Sequence, residues 1–317
     1  MIRGPLYDEG YRPKLSGHET FPLRYGWLKK AYDALSKAES PAAKQAVFSA
    51  EDAVARFGVG KNMVASMRHW ASAAGIIRED TARKVLEPTR LGQLLFDSTD
   101  GIDPYMETPT TSWLAHWNVS GHPKLTTWFW AFSHFPALAF ERDALVHGVA
   151  NLAEERAWPR ASIATIRRDV TCFVRTYVYQ TTSTQGGYED SLESPLAELG
   201  LIKRVGKGAG FRFVRGPKPS LGTGVFGYAV TDFWKRFSMK SNTLSFEALA
   251  HEPGSPGRVF GLGEDDLVEL LDALEVATNR HYQWSETAGL KQLIRARPFS
   301  SSETLDLLRS DYLRGTA

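Results

Sequence analysis

A periodic pattern of apolar and polar positions lies in residues 57–71, FGVGKNMVASMRHWA. On a helical wheel, Val64, Met67 and Ala71 share one face, a spacing typical of a helix with one buried side. The opposite face is narrow, polar and cationic. The pattern therefore predicts an amphipathic helix over residues 61–74.

The segments on either side of this helix give a definite order of elements. Upstream, Ser49 and Asp52 fit the S-x-x-D capping box, which predicts a helix that starts near residue 50 and stops at Gly58. Downstream, IIRED and KVLEP are predicted to be two strands, and Thr89 is predicted to cap a short helix. Helix, tight turn, helix, strand, turn, strand, helix is the order of a winged helix-turn-helix.

A second hairpin is predicted near the middle of the chain, where LIKRVGKGAGFRFV places two short strands around a Gly-rich turn. The stretches EDDLVELLDALEVATN and ETLDLLRSDYL are predicted to be acidic helices. The predicted fold class is mainly α (α+β), with winged helix-turn-helix units, small β-hairpin wings and additional helices. The predicted divisions are an N-terminal winged-helix domain (1–100), a helical aromatic-rich connector (101–155), a second wing-containing helical domain (156–250) and a C-terminal acidic helical region (251–317).

Composition and charge narrow the class of protein. Of the 317 residues 43% are hydrophobic and 12% aromatic, so the chain can bury a core. The formal net charge is only +2, so a nucleic-acid surface must come from local clustering. The single cysteine, Cys172, excludes an internal disulfide and a cysteine-based zinc site, and we expect it to be buried. Without a secretory signal or a long apolar run, we expect a cytoplasmic protein with no membrane partner.

The Gly60-Lys61 pair resembles part of a phosphate-binding loop, but three features argue against nucleotide binding. A Walker A loop needs a glycine where this chain has Ala55 and a hydroxyl residue where it has Asn62. The preceding segment is also predicted to be a helix, whereas the loop follows a buried strand. We therefore expect no nucleotide cofactor.

The polar face of the predicted helix suits the major groove of DNA, where Asn pairs with adenine and Arg with guanine. Residues 56–90 carry seven basic and three acidic side chains, a net charge of +4, and the second hairpin is basic as well. The candidate DNA contacts are Lys61, Asn62, Ser66, Arg68, His69, Arg83 and Lys84 in the first unit, and Lys203, Arg204, Lys207 and Arg212 in the second hairpin.

Other interpretations of these features stay open. A polar helix face is often only solvated, and a winged helix also serves as a protein-interaction module. Lysines on an edge hairpin block aggregation. Four tryptophans of residues 101–155 are expected in the core and not in a base-stacking platform, namely Trp113, Trp117, Trp128 and Trp130.

Three motifs, SGHETFPLRYGWLKK, FGVGKNMV…RHW and LEPTRLGQLLF, carry a family resemblance. The chain resembles the SspB-like family of bacterial DNA phosphorothioation and defence systems, most closely over residues 14–120. The resemblance implies DNA binding and, for the best-known member type, strand nicking. It also implies a cysteine desulfurase and ATPase components of the same system as partners.

The residues themselves do not define a nuclease centre. His116 and His122 lie near Asn118, but in a predicted helical context and not in the ββα unit of an HNH site, and no strand offers the D…(D/E)-x-K spacing. The best local candidates are His18 as base or ligand, Glu19 as a ligand of Mg²⁺ or Mn²⁺, and Arg24 as a phosphate contact. The alternative is a hydrogen-bonded cap whose aromatic neighbours pack on the winged helix.

Two functional hypotheses follow from the sequence. The first is a DNA-binding component of a phosphorothioation or defence system that introduces single-strand nicks with a divalent metal. The second is a non-catalytic winged-helix adaptor that recruits partner enzymes to DNA or acts as a protein-interaction scaffold.

Overall fold

The computed structural model describes residues 4–179, 194–206, 210–287 and 289–314. Within these ranges the helices are α1 (Trp27–Ser36), α2 (Pro41–Ala46), α3 (Ala53–Phe57), α4 (Lys61–Ala73), α5 (Arg90–Phe96), α6 (Pro109–Ser120), α7 (Thr126–Ser133), α8 (Arg142–Glu155), α9 (Ile163–Tyr177), α10 (Thr223–Ser238), α11 (Phe246–His251), α12 (Pro256–Phe260), α13 (Glu264–Ala277) and α14 (Ser301–Arg314). The strands are β1 (Ile77–Asp80), β2 (Val85–Pro88), β3 (Ala139–Phe140), β4 (Ile202–Val205), β5 (Gly210–Phe213), β6 (Thr243–Ser245), β7 (Tyr282–Thr287) and β8 (Leu290–Arg295). The chain is mainly helical with small antiparallel sheets, which confirms the α+β class.

The first helical unit has its elements in the predicted order. α3 ends at Gly58, whose φ of 66° lies in the left-handed region that favours glycine, and α4 begins at Lys61 as predicted. β1 and β2 form an antiparallel hairpin. Thr89 accepts the Gly92 N–H through its hydroxyl oxygen at 2.9 Å, and therefore caps α5 as predicted.

The capping box predicted at Ser49 and Asp52 is wrong. Asp52 is the N-cap of α3, but its side chain makes no bond to the helix N-terminus. Its carboxylate accepts a 2.6 Å hydrogen bond from Arg56, one turn further along. The Ser49 N–H, which a capping box would bond to Asp52, donates instead to the Ala46 carbonyl at 3.0 Å, and α3 begins at Ala53.

The second predicted hairpin belongs to a larger sheet. β4 and β5 pair as predicted, with Lys203 opposite Arg212. β3 adds a third strand, in the order β3-β5-β4, and joins the segment 101–155 to the hairpin. Lys207, a predicted DNA contact, lies outside the described residues.

The C-terminal region contains a sheet that the sequence analysis did not predict. Helices α13 and α14 cover the two acidic stretches as predicted. Between them, β7 and β8 form a hairpin that pairs with β6 in the order β6-β8-β7. The sequence does carry a signal for this hairpin. Large apolar and polar residues alternate around Tyr282 and Trp284, and Gly289 lies at the turn.

The core is centred on α6, which is buried on all sides from Thr110 to Ser120. Trp113, Trp117 and Trp128 are almost completely enclosed, and the core position predicted for them is confirmed. Cys172 is buried as predicted, and burial raises the pKa of its thiol.

The buried apolar side chains form one continuous cluster with members from all four predicted divisions. Because this shared core marks no boundary between them, the four divisions stay a proposal. No helix in the described ranges combines the length and the apolarity that crossing a membrane requires.

Candidate nucleic-acid interface

A large, open cleft of about 1620 Å³ lies beside the exposed face of α4. Its walls come from the N-terminal segment around residues 12–17, from the unit α4–β1–β2–α5, and from the α6–α7 turn together with α10 and the start of α14. Small-molecule pockets measure about 300–1,000 Å³. The cleft therefore suits an extended or macromolecular ligand better than a single metabolite.

Hydrogen bonds fasten the N-terminal segment to the α6–α7 turn. The Tyr11 hydroxyl donates to the carbonyl of Pro123 at 2.9 Å. The backbone N–H of Lys14 donates to Thr126 Oγ1 at 2.8 Å, and the Thr126 N–H donates to the Lys14 carbonyl at 3.2 Å. This latch, defined by residues 11–14 and 123–126, places Lys14 beside Lys124 although they lie far apart in the sequence.

The cleft concentrates positive charge. Seven cationic side chains against two carboxylates give it a formal charge of +5, compared with +2 for the whole chain. The cations are Arg12 and Lys14 from the N-terminal segment, Arg68, Arg78 and Arg90 from the first helical unit, and Lys124 and Lys235 from the opposite wall; the anions are Glu79 and Asp232.

These cations form no close ion pairs with described residues. Arg12 donates to the carbonyls of Glu9 and Tyr11, but none of the other six forms an ion pair with a residue in the described part of the chain. On the outer surface, by contrast, Arg83 lies 3.5 Å from the Glu87 carboxylate and 3.8 Å from that of Asp80. A concave surface with several unpaired cations attracts polyanions.

The cations also perturb one another. Burial, and then the charges of Lys124 and Arg68, lower the pKa of Lys14. Burial lowers the pKa of Lys124. The charge of Asp232 partly offsets this decrease, and the charge of Arg236 adds to it. Both lysines thus hold their protons less firmly than in water. A bound anion would stabilise their charged forms.

His69 forms part of the cleft floor. Its side chain is 7% exposed, and a Cβ at Gly17 would lie 2.8 Å from its Nδ1, so only glycine fits beside the ring. Burial, followed by Lys14 and His18, lowers the pKa of His69 to about 3. The imidazole is therefore neutral at physiological pH, and the DNA contact predicted for His69 stays a prediction that concerns an uncharged ring.

A second histidine, His122, lies against a carboxylate at the edge of the same cleft. Its Nε2 is 2.9 Å from Asp232 Oδ2, although the angle is poor for a hydrogen bond. Asp232 also accepts bonds from Trp117 Nε1 at 3.1 Å and from Arg236 at 3.2 Å. Burial raises the pKa of the Asp232 carboxyl, but His122 and Arg236 outweigh it and hold that pKa well below its usual range.

The predicted DNA contacts fall into separate groups. Arg68 and His69 line the cleft, whereas Lys61 and Asn62 are exposed at the start of α4 outside it. The helical wheel placed Ser66 at the edge of the exposed face, but the structure buries it completely. The remaining predicted contacts are exposed and do not line the cleft, namely Arg83, Lys84, Lys203, Arg204 and Arg212.

The predicted nuclease residues are mostly enclosed. His18 is 2% exposed; its Nε2 lies 2.8 Å from Asp169 Oδ1, and its Nδ1 accepts the Thr20 N–H at 3.0 Å. Arg24 is buried against the ring faces of Phe21 and Trp27, while Glu19 is exposed. His18 therefore uses both ring nitrogens inside the protein.

The surroundings of His18 do not form a ready-made divalent-ion site. Mg²⁺ and Mn²⁺ prefer several oxygen ligands, whereas one carboxylate, Asp169, contacts His18; its Oδ1 accepts bonds from His18 and from the Ser16 N–H, and only its Oδ2 is left without a partner. Across the described ranges, His, Cys, Asp and Glu side chains form no group of three or more that is suited to a metal. The expected use of Mg²⁺ or Mn²⁺ stays a prediction.

Sequence reasoning did not select most of the charged residues of the cleft. Lys14, Lys124 and Lys235 carry no local motif, and neither does the pair of His122 and Asp232, which are separated by more than 100 positions. Arg78 and Arg90 were included in the basic segment that was noted, but were not named as contacts. Only the tertiary fold brings these side chains together.

Comparisons with known proteins identify relatives of the whole fold. The family described as "Protein of unknown function (DUF4007)" matches residues 15–312. The solved structure "Magnesium ion-bound SspB crystal structure" is 32% identical, with a TM-score of 0.81, and the match covers 94% of this chain and 88% of that one. A second structure, "SspB crystal structure", gives the same identity and coverage with a TM-score of 0.80. No curated protein matches the chain.

Proposed function

Because the chain belongs to the DUF4007 family and is similar to SspB over most of its length, we propose that it is a DNA-binding component of a bacterial DNA phosphorothioation or defence system. The phosphorothioation context comes from the family resemblance. The proposed DNA-binding surface is the cationic cleft, and the unpaired cations that converge there are the observation that carries it.

The elements around the cleft support this assignment. We interpret α3, α4, β1 and β2 as a winged helix, whose second helix turns Ala65, Arg68 and Ser72 toward the cleft. Lys61 and Asn62 extend the same helix face beyond it and supply further contacts to phosphates or bases. Ser66 has no part in this interface because its side chain is buried.

Nicking is a separate part of the proposal. The family resemblance implies it, with Glu19 as the accessible member of the predicted centre and Mg²⁺ or Mn²⁺ as its metal. A cysteine desulfurase and ATPase components are the proposed partners on the same ground.

A second candidate is a non-catalytic adaptor or scaffold. The enclosure of His18 and Arg24 favours it, because neither side chain reaches solvent without a rearrangement.

Salt-dependent DNA affinity tests the proposed interface. Fluorescence anisotropy would measure binding of labelled duplex and single-stranded DNA between about 50 and 200 mM salt. Each lost phosphate contact reduces the slope of log K against log salt by about 0.9 for duplex DNA. We expect the triple variant Lys14→Ala/Arg68→Ala/Lys124→Ala to lower that slope by about 3 and the affinity by at least about 100-fold.

The matched control removes three positive charges elsewhere, with Lys37→Ala/Lys240→Ala/Arg309→Ala. These side chains are exposed and lie outside the cleft. Equal losses in the two triple variants would mean that only the net charge matters, and the cleft assignment would fail.

A further inference from the structure

We infer that His122, oriented by Asp232, is the general base that activates water for strand cleavage of DNA bound in the cleft. The inference rests on the proposed DNA-binding function and assigns nicking to a pair that the sequence analysis did not select. It replaces the enclosed His18 as the histidine of a catalytic centre.

The two groups are close enough to act as a base and its orienting carboxylate, with His122 Nε2 2.9 Å from Asp232 Oδ2. His122 follows α6, and Asp232 lies on α10, so two different elements fix the two groups. The Asp232 carboxylate is itself held by Trp117 and Arg236. A carboxylate beside Nε2 favours the tautomer with the proton on that nitrogen, which leaves the lone pair on Nδ1.

The Nδ1 atom is the one available to a ligand. The His122 side chain is 14% exposed and lines the cleft, and within the described ranges Nδ1 has no hydrogen-bond partner. The imperfect Nε2 contact to Asp232 is common in a ligand-free site and tightens when substrate binds.

Cations on both sides of the pair can hold the scissile phosphate. Lys124 follows His122 in the same turn, Lys235 follows Asp232 on α10, and Lys14 is latched beside Lys124. These lysines form no ion pairs with described residues, so they are free to meet phosphate oxygens. Positioned cations stabilise the charge that develops on a phosphoryl group in the transition state.

The reaction is hydrolysis of one phosphodiester bond. The water oxygen forms a bond to phosphorus while one of its protons moves to His122 Nδ1. The P–O bond to one flanking sugar breaks, and the leaving oxygen takes a proton from the Lys124 ammonium. The products are a phosphomonoester and a sugar hydroxyl, and exchange with solvent returns His122 and Lys124 to their starting protonation states.

Neighbouring groups set the protonation state of the base. Burial lowers the pKa of His122, while Asp232 opposes that effect and the charges of Arg236 and Lys124 add to it. His122 is therefore neutral and able to accept a proton at pH 7. Tyr228, another cleft residue, is a poor nucleophile because burial and then Asp232 raise the pKa of its phenol.

Relaxation of supercoiled plasmid by the full chain tests the inference, in EDTA and in Mg²⁺, with DNA affinity measured in parallel. His122→Gln keeps an amide donor for Asp232 but removes the basic nitrogen. A general base contributes about 10²–10⁴-fold, so we expect nicking to fall by at least about 100-fold while DNA affinity stays within about twofold. The control is His251→Gln, an exposed histidine outside the cleft, and Glu19→Ala tests the alternative centre.

The pH profile separates catalysis from a structural role. We expect the wild-type nicking rate to decline about tenfold per pH unit on an acid limb that lies below pH 6.5, the ordinary pKa of histidine. His122→Gln should remove that limb.

Two results would overturn the inference and leave DNA binding standing. One is a wild-type protein that binds DNA but nicks in neither buffer. The other is a His122→Gln variant that nicks at the wild-type rate with the acid limb intact. Failure of the wild type to bind DNA would instead overturn the proposed function and the inference together.

Discussion

The part of the chain that the structure describes includes two histidine–aspartate pairs with the same local chemistry and different surroundings. In both, the imidazole Nε2 contacts an aspartate oxygen, at 2.8 Å for His18 with Asp169 and at 2.9 Å for His122 with Asp232. The first pair is 2% exposed on both sides, and the Thr20 N–H occupies the other ring nitrogen. The second pair is 14% and 24% exposed and lines a cationic cleft.

The difference shows how accessibility separates structural from chemical histidines. His18 joins the N-terminal segment to α9, because Asp169 also accepts the Ser16 N–H. His122 Nδ1 has no hydrogen-bond partner within the described structure, and it lies beside cations that form no ion pairs there. A local sequence motif such as His-Glu therefore indicates less about catalysis than the exposure and the hydrogen-bond partners of the histidine ring nitrogens.

Of the changes considered for these two pairs, removal of Asp169 should lower the free energy of unfolding the most. Asp169→Ala leaves the Ser16 N–H and the His18 ring without their acceptor in a buried site, and should lower the free energy of unfolding by about 3 kcal/mol. Asp232→Asn keeps an acceptor in a partly exposed site and should cost only about 1 kcal/mol. Urea unfolding of both variants measures this, and equal losses would contradict the distinction between the pairs.

Acid should destabilise the protein through His69, the buried histidine that lies between the His18–Asp169 pair and the cleft. The pKa of His69 is about 3 in the folded chain, against 6.5 for an ordinary histidine. Its contribution is complete above pH 6.5 and is lost as the pH falls toward 3, by up to about 1.4 kcal/mol per pH unit.

Thermal or urea unfolding across pH 7 to 4 measures that slope, and His69→Gln should reduce it. His116 and His134, each with a pKa lowered to about 4 by burial, contribute a residual slope of the same sign. A variant with an unchanged slope would show that His69 is not buried in its neutral form.

The smallest effect is expected at the second cationic surface, the β4–β5 hairpin. Lys203 and Arg212 lie directly opposite each other across the strands, and like charges in that position repel. Lys203→Ala/Arg212→Ala should raise stability by about 0.5 kcal/mol and lower DNA affinity by no more than about threefold. A loss as large as that of the cleft triple variant would make the hairpin the principal DNA contact.

Local features of the fold were predictable from the sequence because their signals are local. The start of α4 at Lys61, the left-handed Gly58 and the Thr89 cap each depend on a few neighbouring residues. The start of α3 was misplaced because the Ser49 N–H is bonded to the Ala46 carbonyl and is not available to Asp52. The β7–β8 hairpin had an alternating pattern that the acidic helices around it obscured.

The candidate site was predictable only in part. Arg68 was predicted because the polar residues of α4 recur with helical spacing, and Arg68 lies on the face that they form. Lys124 and Lys235 join it through packing between elements distant in the chain, and no spacing rule in a single sequence reports such contacts. Burial of Ser66 shows the limit of the helical wheel, since a neighbouring element can cover a polar edge.

The latch between residues 11–14 and 123–126 has a practical consequence for protein engineering. A fragment that starts at Leu15, where the family match begins, would keep nearly all of the apolar core. It would lose the Tyr11 hydroxyl that donates to Pro123 and the Lys14 backbone that pairs with Thr126. The turn that carries His122 and Lys124 would then lose its hydrogen bonds to the N-terminal segment, and the cleft would lose Lys14, so a truncation that looks harmless in a folding assay should weaken the cleft.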